Sequence, residues 1–140
     1  HLKIRDFEKV FDTCIRKLGW LSCDHADLRP FANAGGKLII DHGLDDPLIP
    51  VEGTIDYYHR MREIHGGQNF IDQFCRLYIN PGDGHGNCHT NGPGMTESTG
   101  IQALMNWVEH NKAPENLPAV LVNQKTGKTI RKGIVKPWRV

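Results

Sequence analysis

The sequence predicts an α/β fold, in which helices cover a sheet that contains parallel strands. Residues 37–40 form a largely apolar, β-branched run with glycines on both sides, which is typical of a buried parallel strand. Helical and strand patterns alternate along the chain in the order α-β-α-β-α, followed by a terminal β-hairpin. Two central strands are too few for a parallel sheet that stands alone, so we expect the chain to be the end of a larger sheet.

The first predicted element is an amphipathic helix over residues 4–18, which Gly19 ends. Its apolar residues recur at helical spacing: Ile4, Phe7, Val10, Phe11, Cys14, Ile15 and Leu18. A largely polar connection over residues 19–36 leads to the first strand, predicted over residues 37–41.

A second helix and a second strand follow. The helix is predicted over residues 54–65, begins at Gly53 or Thr54, and ends at Gly66-Gly67. Its buried stripe is expected to consist of Ile55, Tyr58, Met61 and Ile64. The strand is predicted over residues 74–79, where apolar and other residues alternate.

A long glycine-rich loop over residues 80–94 separates this strand from the third helix. Its length makes it a candidate functional loop. Thr96 is expected to cap a helix over residues 97–111, and Ile101, Leu104, Met105 and Val108 are predicted to face inward. Residues 119–122 and 129–135 predict the terminal hairpin.

Composition and charge exclude several classes of partner. The 140 residues are 39% hydrophobic and 24% charged with a net charge of +1, so we predict a folded chain without a nucleic-acid or membrane partner. No apolar run reaches the length of a spanning helix, and the N-terminus lacks a signal-peptide pattern. Because the chain begins with His1, we expect it to be processed or cut from a longer polypeptide. The basic residues of 125–139 form either a solvated edge strand or a polyanion-binding patch.

Candidate catalytic residues follow both predicted central strands. Asp41, His42, Asp45 and Asp46 come after the first strand, and His85 comes after the second. Chemistry in open α/β sheets collects beyond the carboxyl ends of such strands. The order acid then histidine matches the last two members of the Ser-Asp-His sequence of α/β-hydrolases. We therefore interpret Asp46 and His85 as the acid and base of an acyl-hydrolase triad whose serine lies outside this chain.

Alternatives to this interpretation stay open at the level of residues. Asp45 competes with Asp46 for the acid role, and Asp46 and His85 are each compatible with an ordinary loop position. His42 is interpreted as structural rather than as the base. The only serines, Ser22 and Ser98, do not lie in a nucleophile elbow.

The four cysteines and the histidines raise the question of a disulfide or a metal. Cys75 lies in a strand pattern and is predicted to be buried, whereas Cys88 is the cysteine expected to be covalently bonded. A zinc site is the competing interpretation. Its ligands would be drawn from His85, Cys88, His89, Asp83 and His42.

Several segments resemble the C-terminal part of the tannase and feruloyl esterase family. The matching segments include GGKLIIDHGLDDPLIP, TIDYYHRM, RLYINPGDGHGNC, ALMNWVEHNKAPENL and TGKTIRKGIVKPW, which together cover most of residues 24–138. The resemblance implies a C-terminal portion of an α/β-hydrolase sheet, from which the nucleophile and lid segments are missing. Residues 1–36 would be the segment returning from the lid, with its connection, and residues 37–140 would belong to the catalytic domain.

The resemblance also implies chemistry. Asp46 and His85 would be the triad acid and base of a secreted or periplasmic serine esterase that acts on phenolic, galloyl-type or feruloyl-type, esters. The family's calcium site would lie upstream in the lid, so no cofactor is expected in this chain. A disulfide in the family joins a cysteine directly after the histidine to one before the serine. Here Gly86 follows His85, so the bridge either uses Cys88 or is absent.

Two predictions depend on the missing segment. This chain alone is expected to be inactive, because its partner would be the N-terminal segment or chain that bears the serine. The alternative function is a stand-alone binding or structural module that has kept an α/β-hydrolase scaffold without catalysis.

Overall fold

The computed structural model describes residues 3–86, 92–123 and 125–139. Short 3-10 helices at Ile4–Asp6 and Gly19–Leu21 flank the first α-helix. The α-helices are α1 (Phe7–Leu18), α2 (Arg29–Asn33), α3 (Val51–Ile64), α4 (Gln68–Ile71) and α5 (Glu97–His110). The strands are β1 (Leu38–Gly43), β2 (Cys75–Asn80), β3 (Leu117–Val122) and β4 (Thr129–Val135). None of the helices in these ranges is long and apolar enough to cross a membrane.

The strands form two two-stranded sheets. β1 and β2 are parallel, in a register that runs from Leu38 opposite Cys75 to Gly43 opposite Asn80. β3 and β4 are antiparallel and make the predicted hairpin. Every residue of β2 is buried, whereas Gly43 is the only buried residue of β1. The α/β fold class is therefore confirmed, with β2 at its centre.

The buried β2 divides the core into two apolar clusters. On one face, Cys75, Leu77 and Ile79 pack with α3 and α4, and the partners include Tyr58, Met61, Ile71 and Phe74. On the other face, Tyr78 packs with α5 and the hairpin, through Met95, Ala103, Leu117, Ala119 and Val135. A helical layer therefore lies on one side of β2, and α5 with the hairpin lies on the other.

Most predicted elements are present with shifted boundaries. β1 and β2 each begin one residue later than predicted, and α3 begins at Val51 because Pro50 precedes its first turn. The short helix α2 lies in the segment predicted to be a connection, and α4 lies between the second predicted helix and the second predicted strand, where no element was predicted. Ile64, which was predicted to be buried in the second helix, is exposed.

The predicted inner face of the third helix is wrong. Ile101 and Val108 are 61% and 62% exposed, and Met105 is exposed as well, whereas Ala103 and Trp107 are buried. Both sets of residues have helical spacing, so periodicity could not distinguish them. The indole of Trp107 lies under the guanidinium of Arg76, 5.1 Å from the ring centroid, on the buried face of the helix.

Arg76 is a buried cation at the start of β2. Its guanidinium contacts the Asp72 carboxylate at 3.3 Å and the Glu115 carboxylate at 3.1 Å. It also donates to the Pro114 carbonyl at 3.3 Å. Arg139 contacts the same two carboxylates, so this network ties β2 to the segment before β3 and to the C-terminal segment.

Candidate active site

The carboxyl ends of β1 and β2 bring two loops together. The strand register ends with Gly43 opposite Asn80, and the loops continue side by side from there. The Leu44 N–H donates to the Asn80 carbonyl at 3.0 Å, and the Asp45 N–H donates to the Asp83 carbonyl at 2.9 Å. The loop that carries the predicted acid is therefore bonded directly to the loop that carries the predicted base.

Gly43 allows this close approach. A Cβ atom at position 43 would lie 2.7 Å from the carbonyl oxygen of Gly84, and closer still to that of Asp83. Real Cβ atoms do not come so near to backbone atoms. The absence of a side chain at Gly43 therefore sets the distance between the two loops.

Asp46 and His85 form a hydrogen-bonded pair across these loops. The distance from Asp46 Oδ2 to His85 Nδ1 is 2.9 Å, although the residues are 39 positions apart. The Asp46 side chain is 6% exposed and that of His85 is 48% exposed. A carboxylate only accepts hydrogen bonds, so Nδ1 carries the ring proton and the neutral imidazole keeps a lone pair on Nε2.

The second carboxylate oxygen of Asp46 is bonded within its own loop. Oδ1 accepts from the backbone N–H groups of Leu48 at 2.8 Å and Ile49 at 3.0 Å. Desolvation by itself raises the pKa of Asp46, but these two N–H groups and His85 outweigh it and lower the pKa to about 2. Asp46 is therefore ionised at neutral pH, and within the described part of the chain it is oriented by the Leu48 and Ile49 N–H groups and by His85, with His42 nearby.

His42 lies beside this pair and is bonded on both ring nitrogens. Nε2 is 3.0 Å from the Ile49 carbonyl oxygen, and Nδ1 is 2.7 Å from Thr54 Oγ1 on α3. The side chain is 11% exposed, and Nε2 is 3.6 Å from Asp46 Oδ2. His42 is thus hydrogen-bonded to residues 44–50, the loop that carries Asp46 and is called the acid loop below, and to α3. These bonds agree with its interpretation as a structural residue.

The pair faces an open cleft of about 270 Å³. The cleft is lined by Asp41, His42, Gly43, Asp46, Ile49, Gly84, His85 and Gly86. Desolvation raises the pKa of Asp41, an effect that the imidazole of His42 and the amide of Asn80 oppose. Because His85 is part of this lining and its imidazole is half-exposed, the ring borders a space that a substrate group could enter.

The other predicted site residues have different outcomes. Cys88, which was expected to form a disulfide, and His89, which was a candidate zinc ligand, lie outside the described residues. Within the described ranges, no cluster of three metal-binding side chains is present. Ser22 bonds to Asp24, and Ser98 lies in the first turn of α5 within 3.0 Å of Thr96 Oγ1.

Of the cysteines in the described ranges, Cys75 has the burial that its strand pattern predicted, whereas Cys14 and Cys23 do not share it. Cys75 is buried and free, and burial raises the pKa of its thiol to about 12. Cys14 and Cys23 are exposed and free.

Sequence reasoning missed two features of the site. Thr54, taken only as a possible helix start, is the hydrogen-bond partner of His42. Gly43, taken only as a turn signal, is the point of closest approach between the loops. A glycine at the end of a strand was the available signal for the second feature, because such a glycine often marks a close approach of another backbone segment.

Comparison with known proteins gives the family. The chain matches the family model described as "Tannase and feruloyl esterase" over residues 4–138. It is 32% identical over 115 residues to a probable feruloyl esterase of Arthroderma benhamiae, a match that covers 81% of this chain and 21% of that protein. It is 33% identical over 102 residues to a mono(2-hydroxyethyl) terephthalate hydrolase of Piscinibacter sakaiensis, covering 73% of this chain and 16% of that protein.

A solved structure shows the same fold. The crystal structure of an esterase from Aspergillus oryzae superposes with a TM-score of 0.75 at 22% identity, over 98% of this chain and 29% of that one. The chain therefore spans less than a third of the length of each of these relatives. From the family match, which covers nearly all of its residues, the chain belongs to the tannase and feruloyl esterase family.

Proposed function

We propose that this chain is the C-terminal catalytic segment of a serine carboxylic-ester hydrolase that acts on phenolic esters. In this proposal Asp46 and His85 are the acid and base of its triad, on an α/β-hydrolase sheet. The observation that carries it is the 2.9 Å hydrogen bond between Asp46 and His85 at the ends of neighbouring parallel strands. Membership of an esterase family supports the reaction class.

The chemistry follows from the protonation of the pair. The Nδ1–H group of His85 donates a hydrogen bond to the Asp46 carboxylate and keeps its proton, so the Nε2 lone pair is free to take the proton of a serine hydroxyl. The serine oxygen then attacks the ester carbonyl carbon. The imidazolium formed on His85 is stabilised by the ionised Asp46 and returns its proton to the departing alcohol. The serine and the groups that stabilise the oxyanion would come from a segment outside this chain.

The packing supports a larger sheet. α1 has no buried residue, although one of its faces carries Phe7, Phe11 and Ile15. β1 is only partly covered, in contrast to the fully buried β2. Apolar surface of this extent is normally covered by protein, so we infer that the free edge of β1 adjoins strands supplied by the missing segment.

The substrate class is inferred from the relatives. The names of the family and of the Arthroderma benhamiae protein point to galloyl or hydroxycinnamoyl esters. The name of the Piscinibacter sakaiensis protein indicates a different aromatic ester. We propose a phenolic acyl group, which a comparison of methyl gallate, methyl ferulate and a terephthalate monoester as substrates would test.

The triad is tested in the complete gene product. His85→Ala should lower kcat by about 10⁴-fold or more while the melting temperature stays near that of the wild type. Asp46→Asn should lower kcat by about 10⁴-fold, because the amide no longer holds the correct imidazole tautomer. His110→Ala, on the exposed end of α5, is the matched control and should retain full activity. Near-normal turnover of His85→Ala would remove the triad from consideration.

A non-catalytic module is the second candidate. It is favoured by the positions of Ser22 and Ser98, neither of which hydrogen-bonds to His85 within the described part of the chain. The intact mass of the natural gene product distinguishes the two candidates. A polypeptide several times larger, with a serine in a nucleophile elbow, supports the esterase, and a product of about 15.8 kDa supports the module.

A further inference from the structure

His42, which has no role in the proposed triad, completes a ring of contacts with Ile49 and Asp46 in the acid loop. The Ile49 N–H donates to Asp46 Oδ1 at 3.0 Å, and the Ile49 carbonyl faces His42 Nε2 at 3.0 Å. His42 Nε2 lies 3.6 Å from the other oxygen of the same carboxylate, Oδ2. The peptide groups around Ile49 are therefore held between the triad acid and His42.

The hydrogen bonds determine which nitrogen of His42 is protonated. A carbonyl oxygen only accepts hydrogen bonds, so His42 Nε2 is protonated and its N–H group donates to the Ile49 carbonyl oxygen. In the neutral ring, Nδ1 is then an acceptor, and the Thr54 hydroxyl donates to it over 2.7 Å. Thr54 belongs to α3, which packs on the core next to β2, so the orientation of His42 is set by a rigid element.

We propose that His42 is a positioning residue, which together with Thr54 holds the Asp46 carboxylate in line with His85 Nδ1. This inference rests on the triad role proposed for Asp46 and His85. His42 acts on the carboxylate in two ways. It fixes the backbone of Ile49, from which Asp46 Oδ1 accepts a hydrogen bond, and it presents an N–H dipole to Oδ2, the oxygen that contacts His85.

The loss of His42 should affect turnover more than binding. Without it, the Ile49 carbonyl loses its donor, and the exposed segment around Leu48 and Ile49 is free to carry the carboxylate away from His85. A misplacement of about 1 Å in a catalytic group lowers turnover by about 100-fold. We therefore expect His42→Leu to lower kcat by about 10- to 100-fold with little change in KM.

Two amide variants of His42, which place an N–H donor at different distances along the side chain, separate positioning from simple packing. The amide nitrogen of a glutamine reaches the place of His42 Nε2, so His42→Gln should still donate to Ile49 and recover most of kcat. The shorter His42→Asn reaches only the Nδ1 position and should remain impaired. Thr54→Val, which removes the hydroxyl at nearly constant volume, should lower kcat by a smaller factor than His42→Leu.

A double-mutant cycle with Asp46→Asn in the complete gene product is the decisive experiment. If His42 acts through Asp46, His42→Leu should add no further loss of kcat in the Asp46→Asn background. The far-downfield proton resonance of the His85–Asp46 hydrogen bond should weaken in His42→Leu and persist in His42→Gln. His110→Leu is the control for replacement of a histidine by leucine.

The outcomes distinguish this inference from the proposed function. Full activity of His85→Ala would reject the triad itself. Loss of activity in His85→Ala and Asp46→Asn, with an unchanged kcat in His42→Leu, would keep the triad and overturn the positioning role. Equal fold-losses from His42→Leu in both backgrounds would also overturn it, because His42 would then act independently of Asp46.

Discussion

Replacement of Gly43 by alanine tests whether the spacing between the two loops controls catalysis. The new Cβ would lie 2.7 Å from the Gly84 carbonyl oxygen and closer to that of Asp83, and both neighbours are backbone atoms that no rotamer change can move. Restoring an ordinary contact of about 3.5 Å requires the loops to separate by roughly 1 Å. The Leu44–Asn80 and Asp45–Asp83 backbone hydrogen bonds span the same gap and would lengthen with it.

The consequence for the triad can be estimated from the same geometry. The Asp46–His85 distance is 2.9 Å, so a separation of about 1 Å takes it beyond hydrogen-bond range. We expect Gly43→Ala to lower kcat by about 100-fold and to destabilise the protein by about 1–3 kcal/mol through overpacking.

The assay is steady-state hydrolysis of a phenolic ester by the complete gene product, together with urea unfolding of each variant. Gly53→Ala is the matched control, because a Cβ there meets no atom within 4 Å and the residue lies inside α3. It should leave kcat unchanged and stabilise the helix by up to about 1 kcal/mol. Wild-type kcat in Gly43→Ala would show that the spacing of the loops does not control the triad.

Two further predictions concern charge. The pKa of Asp46 is lowered from 3.8 to about 2 in the folded state, so its contribution to stability is present above pH 3.8 and is lost as the pH falls toward 2. The difference in unfolding free energy between the wild type and Asp46→Asn should therefore shrink over this window, and a constant difference would contradict the assignment. Arg76→Ala should destabilise the protein by about 2–3 kcal/mol, because it removes a buried guanidinium that donates to the Pro114 carbonyl and packs on Trp107, while Arg139 keeps its contacts with both carboxylates. The exposed ion pair of Arg29 with Asp27 provides the control, and Arg29→Ala should cost about 0–1 kcal/mol by urea unfolding; equal losses would show that the burial of Arg76 is unimportant.

The pairing of Asp46 with His85 could be predicted because it depends on a general property of parallel sheets. Each residue follows a strand that the sequence predicted, and the carboxyl ends of neighbouring parallel strands meet at one edge. The sequence therefore indicated which two loops would meet before any contact was known. The choice between Asp45 and Asp46 could not be made in this way, because it depends on the direction of each side chain after Gly43.

Burial of helix faces was less predictable, for a different reason. A periodic pattern identifies a helix, but which side is covered depends on the element that packs against it. In α5 the buried stripe carries Trp107, which contacts Arg76, and Ala103, which packs in the cluster around Tyr78, while Ile101 and Val108 are exposed. In α1 the predicted helix is present, yet none of its residues is buried, because no other part of the described chain covers its apolar face.

The residues that adjust the site are the ones that sequence patterns describe least well. His42 and Gly43 are adjacent, and the sequence predicted only a structural role for His42 and a turn for Gly43. Yet His42 bonds the acid loop to α3 through Thr54, and Gly43 permits the distance at which that loop meets the base loop. The first effect arises from hydrogen bonds to residues 12 and 7 positions further along the chain, and the second from contacts with the loop after β2; only the folded chain brings these groups together. The double-mutant cycle of His42→Leu with Asp46→Asn and the Gly43→Ala variant test this division of roles. If both give the expected results, His42 and Gly43 set the direction and distance of the Asp46 carboxylate from His85, and the carboxylate itself supplies only the charge.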